Sequence, residues 1–157
     1  MPVAIGRAAI AIFTLLTIAS PLWPDQEPSA PALAGHHRIQ FQAHNGTILI
    51  PGHVNGNHAT FLVDTGAALT TFSLKAVPSM DTSSRITIHT ANGSITAFRV
   101  PVGFNLGELA PRSFRQSVVV GDFKFGEADG VIGLDVLSSF KAVTVDFQNS
   151  VLILVDR

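Results

Sequence analysis

The chain has 157 residues and a formal charge of −1 at pH 7, with 10 Lys and Arg against 11 Asp and Glu. That length suggests one domain, and the charge balance gives no electrostatic footprint for nucleic acid, so no nucleic-acid partner is expected. There is no Cys, which excludes disulfides and thiolate metal sites, and the 46% hydrophobic content is ample for a core.

The first segment reads as targeting rather than fold. Arg7 precedes the apolar run Ala8 to Ala19, which suits a secretory h-region and is short for a membrane span. Extended through Pro21, Leu22 and Trp23, residues 8–23 would form an uncleaved anchor and attach the chain to the membrane. Pro24 to Pro31 has a Pro-rich, polar linker composition. Ala32-Leu33-Ala34 has the small-x-small form of a cleavage site, with Thr17-Ile18-Ala19 as the alternative. Residues 1–34 are therefore expected to be a signal peptide or membrane anchor plus linker, and 35–157 a folded domain. The domain would be exported, periplasmic or secreted, or held at the membrane.

From Arg38 onward the pattern is one of short strands. Ile39-Gln40-Phe41 alternates, and Asn45-Gly46 is a hairpin signal. Thr47 to Val54 follows as a strand, bent or interrupted at Pro51-Gly52. A second hairpin turn, Asn55-Gly56, leads into His58 to Val63. Phe61-Leu62-Val63 reads as the end of a strand buried on both faces, and it runs straight into Asp64-Thr65-Gly66-Ala67. An ionisable Asp at the end of such a strand is costly unless hydrogen-bonded or used, although an Asp-led turn needs no chemistry. Leu69 to Phe72 is expected to be the strand leaving this loop, and Pro78 to Ser84 a turn region.

Arg85 to Val100 alternates apolar and polar residues on both sides of Asn92-Gly93, the pattern of a two-stranded ribbon. Pro101 to Arg112 reads as a loop, Ser113 to Val120 as a strand, and Asp122 to Asp129 as another loop. Val131-Ile132 reads as another buried strand, ending at Gly133, with Asp135 as the expected N-cap of a short helix over Val136 to Phe140. Val143 to Phe147 and Val151 to Val155 flank Gln148-Asn149-Ser150 as a final hairpin. The 11 Phe are spread along the strand pattern, as core residues are. His36, His37, His44, His53, His58 and His89 have no ligand-spaced carboxylate or Cys motif, so neither a metal site nor a cofactor is expected.

Two of these stretches together resemble the retropepsin-like aspartic proteases, the single-domain (clan AA) branch of the aspartic protease family. Leu62-Val63-Asp64-Thr65-Gly66-Ala67 is similar to that family's apolar-apolar-Asp-Thr-Gly-Ala/Ser active-site loop. Val131-Ile132-Gly133 is similar to its apolar-apolar-Gly ahead of a short helix, and the resemblance covers about residues 39–155. It implies an all-β, closed barrel with one short C-terminal helix, forming half of a two-fold dimer. It implies Asp64 as the catalytic carboxylate, Thr65, Gly66 and Ala67 as the rest of the active-site loop, and Val131, Ile132 and Gly133 as the motif behind it. It also makes the ribbon tip Ala91-Asn92-Gly93-Ser94 a flap over the substrate, and Val151 to Val155 a candidate strand at the dimer interface.

Counting carboxylates leads to the same assembly. An aspartic protease needs two carboxylates close enough to share a proton and a water. The chain has one Asp-Thr-Gly, while Asp129-Gly130 lacks the middle hydroxyl, so the expected solution is a homodimer in which Asp64 meets its own copy and cleaves peptide bonds. Thr65, by the resemblance, would hydrogen-bond across the dimer axis. Viral members usually place acidic residues after the Ala and an Arg after the second Gly, whereas this chain has Ala68, Leu69 and Leu134. Both halves of that ion pair are missing together, which suits a cellular, bacterial relative. The alternatives are a catalytically silent domain that binds extended peptides in its groove, and a structural β domain in which both motifs are accidental.

Overall fold

The computed structural model describes residues 35–90, 93–107 and 113–157, so the expectations placed on residues 1–34, on Ala91 and Asn92, and on 108–112 lie outside it. The described residues form strands β1 His36–Gln40, β2 Gln42–His44, β3 Thr47–Val54, β4 Asn57–Val63, β5 Thr71–Ser73, β6 Arg85–Thr90, β7 Gly93–Leu106, β8 Ser113–Gly121 and β9 Gly130–Ile132. The short helix α1 Leu134–Leu137, β10 Ala142–Asp146 and β11 Val151–Val155 follow. The fold is all-β with one short helix near the C-terminus.

The two Asn-Gly turns behave as their chemistry requires. Asn45 and Gly46 have φ of 48° and 78°, and Asn55 and Gly56 have 50° and 85°. Two successive positive φ values make a type I′ turn, whose twist matches the flanking strands. One sheet runs in the order β2-β3-β4-β9-β5-β8-β7-β6, and β3 also pairs with β7. The pairings β3–β4–β9–β5–β8–β7–β3 therefore close into a ring.

The closure explains Pro51-Gly52. The strand is not interrupted there: Gly52 faces Ala59 on β4 and Leu106 on β7. A Cβ at Gly52 would collide with the Asn105 carbonyl oxygen and the Phe61 ring, so the missing side chain is what lets β7 come against β3. Pro51 needs no N–H in this position, and its carbonyl accepts a hydrogen bond from Gly107 N at 2.7 Å.

Three expectations are corrected. Pro101 to Leu106 is not loop, because β7 runs unbroken to Leu106 and pairs Pro101 with Ser117. Val100, Val102, Phe104 and Leu106 are buried on one face, and that period-2 pattern outweighs Pro101 and Gly103 as breakers. The strand after the Asp64 loop begins at Thr71, leaving Leu69 and Thr70 in the loop. Asp135 is not the N-cap: α1 begins at Leu134, the cap position is Gly133, and the carboxylate of Asp135 is used elsewhere.

A second sheet has the order β1-β11-β10. Its central strand is β11, paired along its whole length with β1 on one edge and β10 on the other. Both hydrogen-bonding edges of Val151–Val155 are filled within the chain, so β11 offers a partner's strand no free edge. His37 Nε2 lies 2.9 Å from Asp156 Oδ2, tying β1 to the residue after β11.

The core is aromatic at its centre. Phe61 stacks on Phe72 at 5.4 Å, Phe72 meets Phe104 edge-on at 5.3 Å, and Phe104 stacks on Phe114 at 5.1 Å. Phe61 and Phe72 stand on the strands entering and leaving the Asp64 loop, so this packing fixes the base of the loop.

Candidate active site

Asp64 directly follows β4. Leu62 and Val63 pair in parallel register with Val131 and Ile132 of β9, and Asp64 N continues the ladder by donating to Ile132 O at 3.1 Å. The carboxylate is held by its own loop: Gly66 N donates to Asp64 Oδ1 at 2.7 Å. Ala67 N donates to the Asp64 carbonyl at 3.3 Å. Asp64 and Ala67 are half-buried, while Thr65 and Gly66 are exposed. Ala59 and Phe61 are buried while Leu62 and Val63 are half-buried, so the end of β4 is not buried on both faces as expected, and it delivers the carboxylate to the protein surface on a tight, hydrogen-bonded turn.

The second motif sits against this loop. Val131, Ile132 and Gly133 are all buried. Leu134 N donates to the Ala67 carbonyl at 2.8 Å. A Cβ at Gly133 would lie 2.7 Å from the Leu69 carbonyl carbon and 2.8 Å from the Ala67 carbonyl oxygen. Gly133 has φ −99°, which any residue adopts; glycine is required here for space and not for conformation.

Sequence reasoning missed the other end of the loop. Thr70 is the buried polar residue of the described core, at 0% exposure. Its hydroxyl accepts from Gly133 N at 3.1 Å and donates to Asp135 Oδ1 at 2.7 Å. Asp135 Oδ1 also accepts from Thr70 N at 2.9 Å and Val136 N at 3.0 Å, and Oδ2 accepts from Gln116 Nε2 at 3.3 Å.

Asp129 does not join Asp64. The pairing of Gly130 with Phe61 sets it level with Thr60, four residues back along β4, about 13 Å at ~3.3 Å per residue. There its Oδ2 accepts from Thr60 N at 3.0 Å, and Lys75 Nζ lies 3.7 Å from Oδ1. Gly93 and Ser94 are exposed at the β6–β7 ribbon, opposite Thr90 and His89. Pairing of β7 with β8 begins only at Ala97, so Gly93 and Ser94 pair with β6 alone.

Residues 50–139 match the family described as "gag-polyprotein putative aspartyl protease", a span that holds both the Asp64 loop and the Gly133 motif. The chain belongs to this aspartyl protease family. Its fold is shared by a retropepsin-like aspartic protease from Rickettsia conorii, with a TM-score of 0.55 and 20% identity over 76% of this chain and 90% of that one. The retroviral protease-like domain of Ddi1 from Leishmania major gives 0.53 and 20% over 70% and 92%. EIAV protease complexed with the inhibitor HBY-793 gives 0.50 and 17% over 62% and 92%. No curated protein matches the sequence. The fold is thus retropepsin-like, as the two motifs implied.

In this chain the Asp64 loop and the start of α1 carry apolar residues where the resemblance to viral enzymes would put charge: Leu69 is 42% exposed and Leu134 44%. Among the described residues no group of three His, Cys, Asp or Glu could hold a metal ion. The rings of His53 and His58 face each other across β3 and β4 at 4.4 Å, and His53 Nδ1 lies 3.1 Å from Asn105 Oδ1.

Proposed function

We propose that the chain is an aspartic endopeptidase that works as a homodimer, each subunit supplying one Asp64. The observation that carries this reading is the Asp64 loop itself: a carboxylate held by Gly66 N at the end of β4, with Thr65 and Gly66 exposed beside it. Asp129, the other carboxylate with a following glycine, is committed to Thr60. The site is therefore half a site, and a two-fold axis through the exposed Thr65–Gly66 face completes it.

In the dimer one Asp64 is ionised and its copy protonated. The ionised carboxylate takes a proton from a water, whose oxygen attacks the scissile carbonyl carbon. The protonated carboxylate gives its proton to the carbonyl oxygen, forming a gem-diol. Transfer of a proton to the amide nitrogen then breaks the C–N bond, releasing an amine and a carboxylic acid. The Gly93–Ser94 ribbon closes over the extended peptide. Residues 1–34 carry the domain out of the cytoplasm, cleaved or retained as an anchor.

Asp64→Asn tests the assignment. It keeps the shape but removes both ionisable groups of the pair, so turnover should fall by several orders of magnitude, and a transition-state mimic such as pepstatin should inhibit the parent. Cleavage by the purified variant at the parent's rate would remove Asp64 from the mechanism.

A further inference from the structure

The segment Ile132–Asp135 grips the Asp64 loop at three points. The Ile132 carbonyl takes Asp64 N at the start, Leu134 N holds the Ala67 carbonyl in the middle, and Asp135 with Gly133 N holds Thr70 at the end. The first two grips are made by backbone groups and survive most substitutions. The third depends on side chains: one carboxylate oxygen of Asp135 receives Thr70 N, Thr70 Oγ1 and Val136 N together. Thr70 Oγ1 relays the contact to Gly133 N in a fully buried position.

We infer that Asp135 is a positioning residue for the reaction, clamping Thr70 so that the seven-residue stretch from Asp64 to Thr70 presents the carboxylate in one geometry. The inference rests on the protease reading above. Asp135 is half-buried and its hydrogen bonds run to Thr70, Val136 and Gln116, so it acts on the loop through Thr70. Two features separate a clamp from a simple contribution to folding. Its acceptor oxygen is used on the loop and on α1 alike, so losing it frees the loop end while β5, β8 and β9 keep their ladders. And the role needs an oxygen acceptor, not a charge. In Asp135→Asn the amide oxygen can take the same three donors, and the Gln116 amide can turn its oxygen towards the new NH2 group.

The experiment compares Asp135→Ala, Asp135→Asn and Thr70→Val in the full chain, with peptide cleavage and amide hydrogen exchange as readouts. A loop misplaced by a fraction of an ångström should lower kcat roughly 10- to 100-fold with KM changed less than about three-fold in Asp135→Ala and Thr70→Val, and Asp135→Asn should recover most of the loss. Exchange at the Thr70 and Gly133 amides should quicken in the Ala variant and not in the Asn variant. An Asp135→Ala enzyme with the parent's kcat, or an Asn variant that falls as far as the Ala variant, would overturn the clamp. Should Asp135→Ala fail to fold, Thr70→Val, which keeps the shape and the backbone donor, carries the test. Absence of Asp64-dependent cleavage in the parent would instead overturn the protease reading, and the exchange data would still decide the clamp.

Discussion

At Gly133, Gly133→Ala would press a methyl group to within 2.8 Å of two backbone atoms of the Asp64 loop. Backbone cannot swing aside as a side-chain tip can, so the variant should lose about 1–3 kcal/mol, read as a lower urea midpoint at unchanged m. A midpoint equal to the parent's would mean the loop yields freely there. The Gly133 and Asp64 motifs could be picked out from sequence because each is short and contiguous. The Thr70–Asp135 contact could not, because 65 positions separate the two and neither sits in a pattern that a nearby residue completes. Asp135 even carried a misleading local signal, since an Asp ahead of an apolar run resembles a helix cap.

Among the elements, the hairpins at Asn45-Gly46 and Asn55-Gly56 could be placed from sequence because two positive φ values need those residues. The full extent of β7 could not, since Pro101 and Gly103 masked the alternation of Val100, Val102, Phe104 and Leu106. The β10–β11 hairpin was placed, but its partner β1 was not, because antiparallel pairing between the two ends of a domain leaves no local trace. That hairpin carries a pH-dependent element. Asn149 donates to both oxygens of Asp146, from its side chain at 2.8 Å and its backbone at 3.0 Å, and these bonds hold the Asp146 carboxyl below its ordinary value of 3.8. A carboxyl lowered in the folded state adds stability above its unfolded value, and that stability is lost as pH falls through the folded one. Asp146→Ala should therefore lower the melting temperature slightly at pH 7 and by less at a pH well below 3.8. An equal loss at both pH values would show that the turn, not the charge, is what matters.

At the scale of the molecule, the fold class and the retropepsin-like likeness followed from two motifs in the right order. With β11 enclosed between β1 and β10, neither edge of the C-terminal strand is free to pair with a second copy, and the proposed dimer turns on the exposed Thr65–Gly66 face. In the proposed dimer one site is built from two Asp64 residues of separate chains. Subunit mixing decides it: parent enzyme at fixed concentration is equilibrated with increasing Asp64→Asn chain, and cleavage is followed. With random pairing the surviving activity tracks the parent's share of the subunits, so a nine-fold excess should leave about a tenth of the rate. A rate that stays constant as the inactive chain is added would contradict the account, because each parent chain would then hold a complete site of its own.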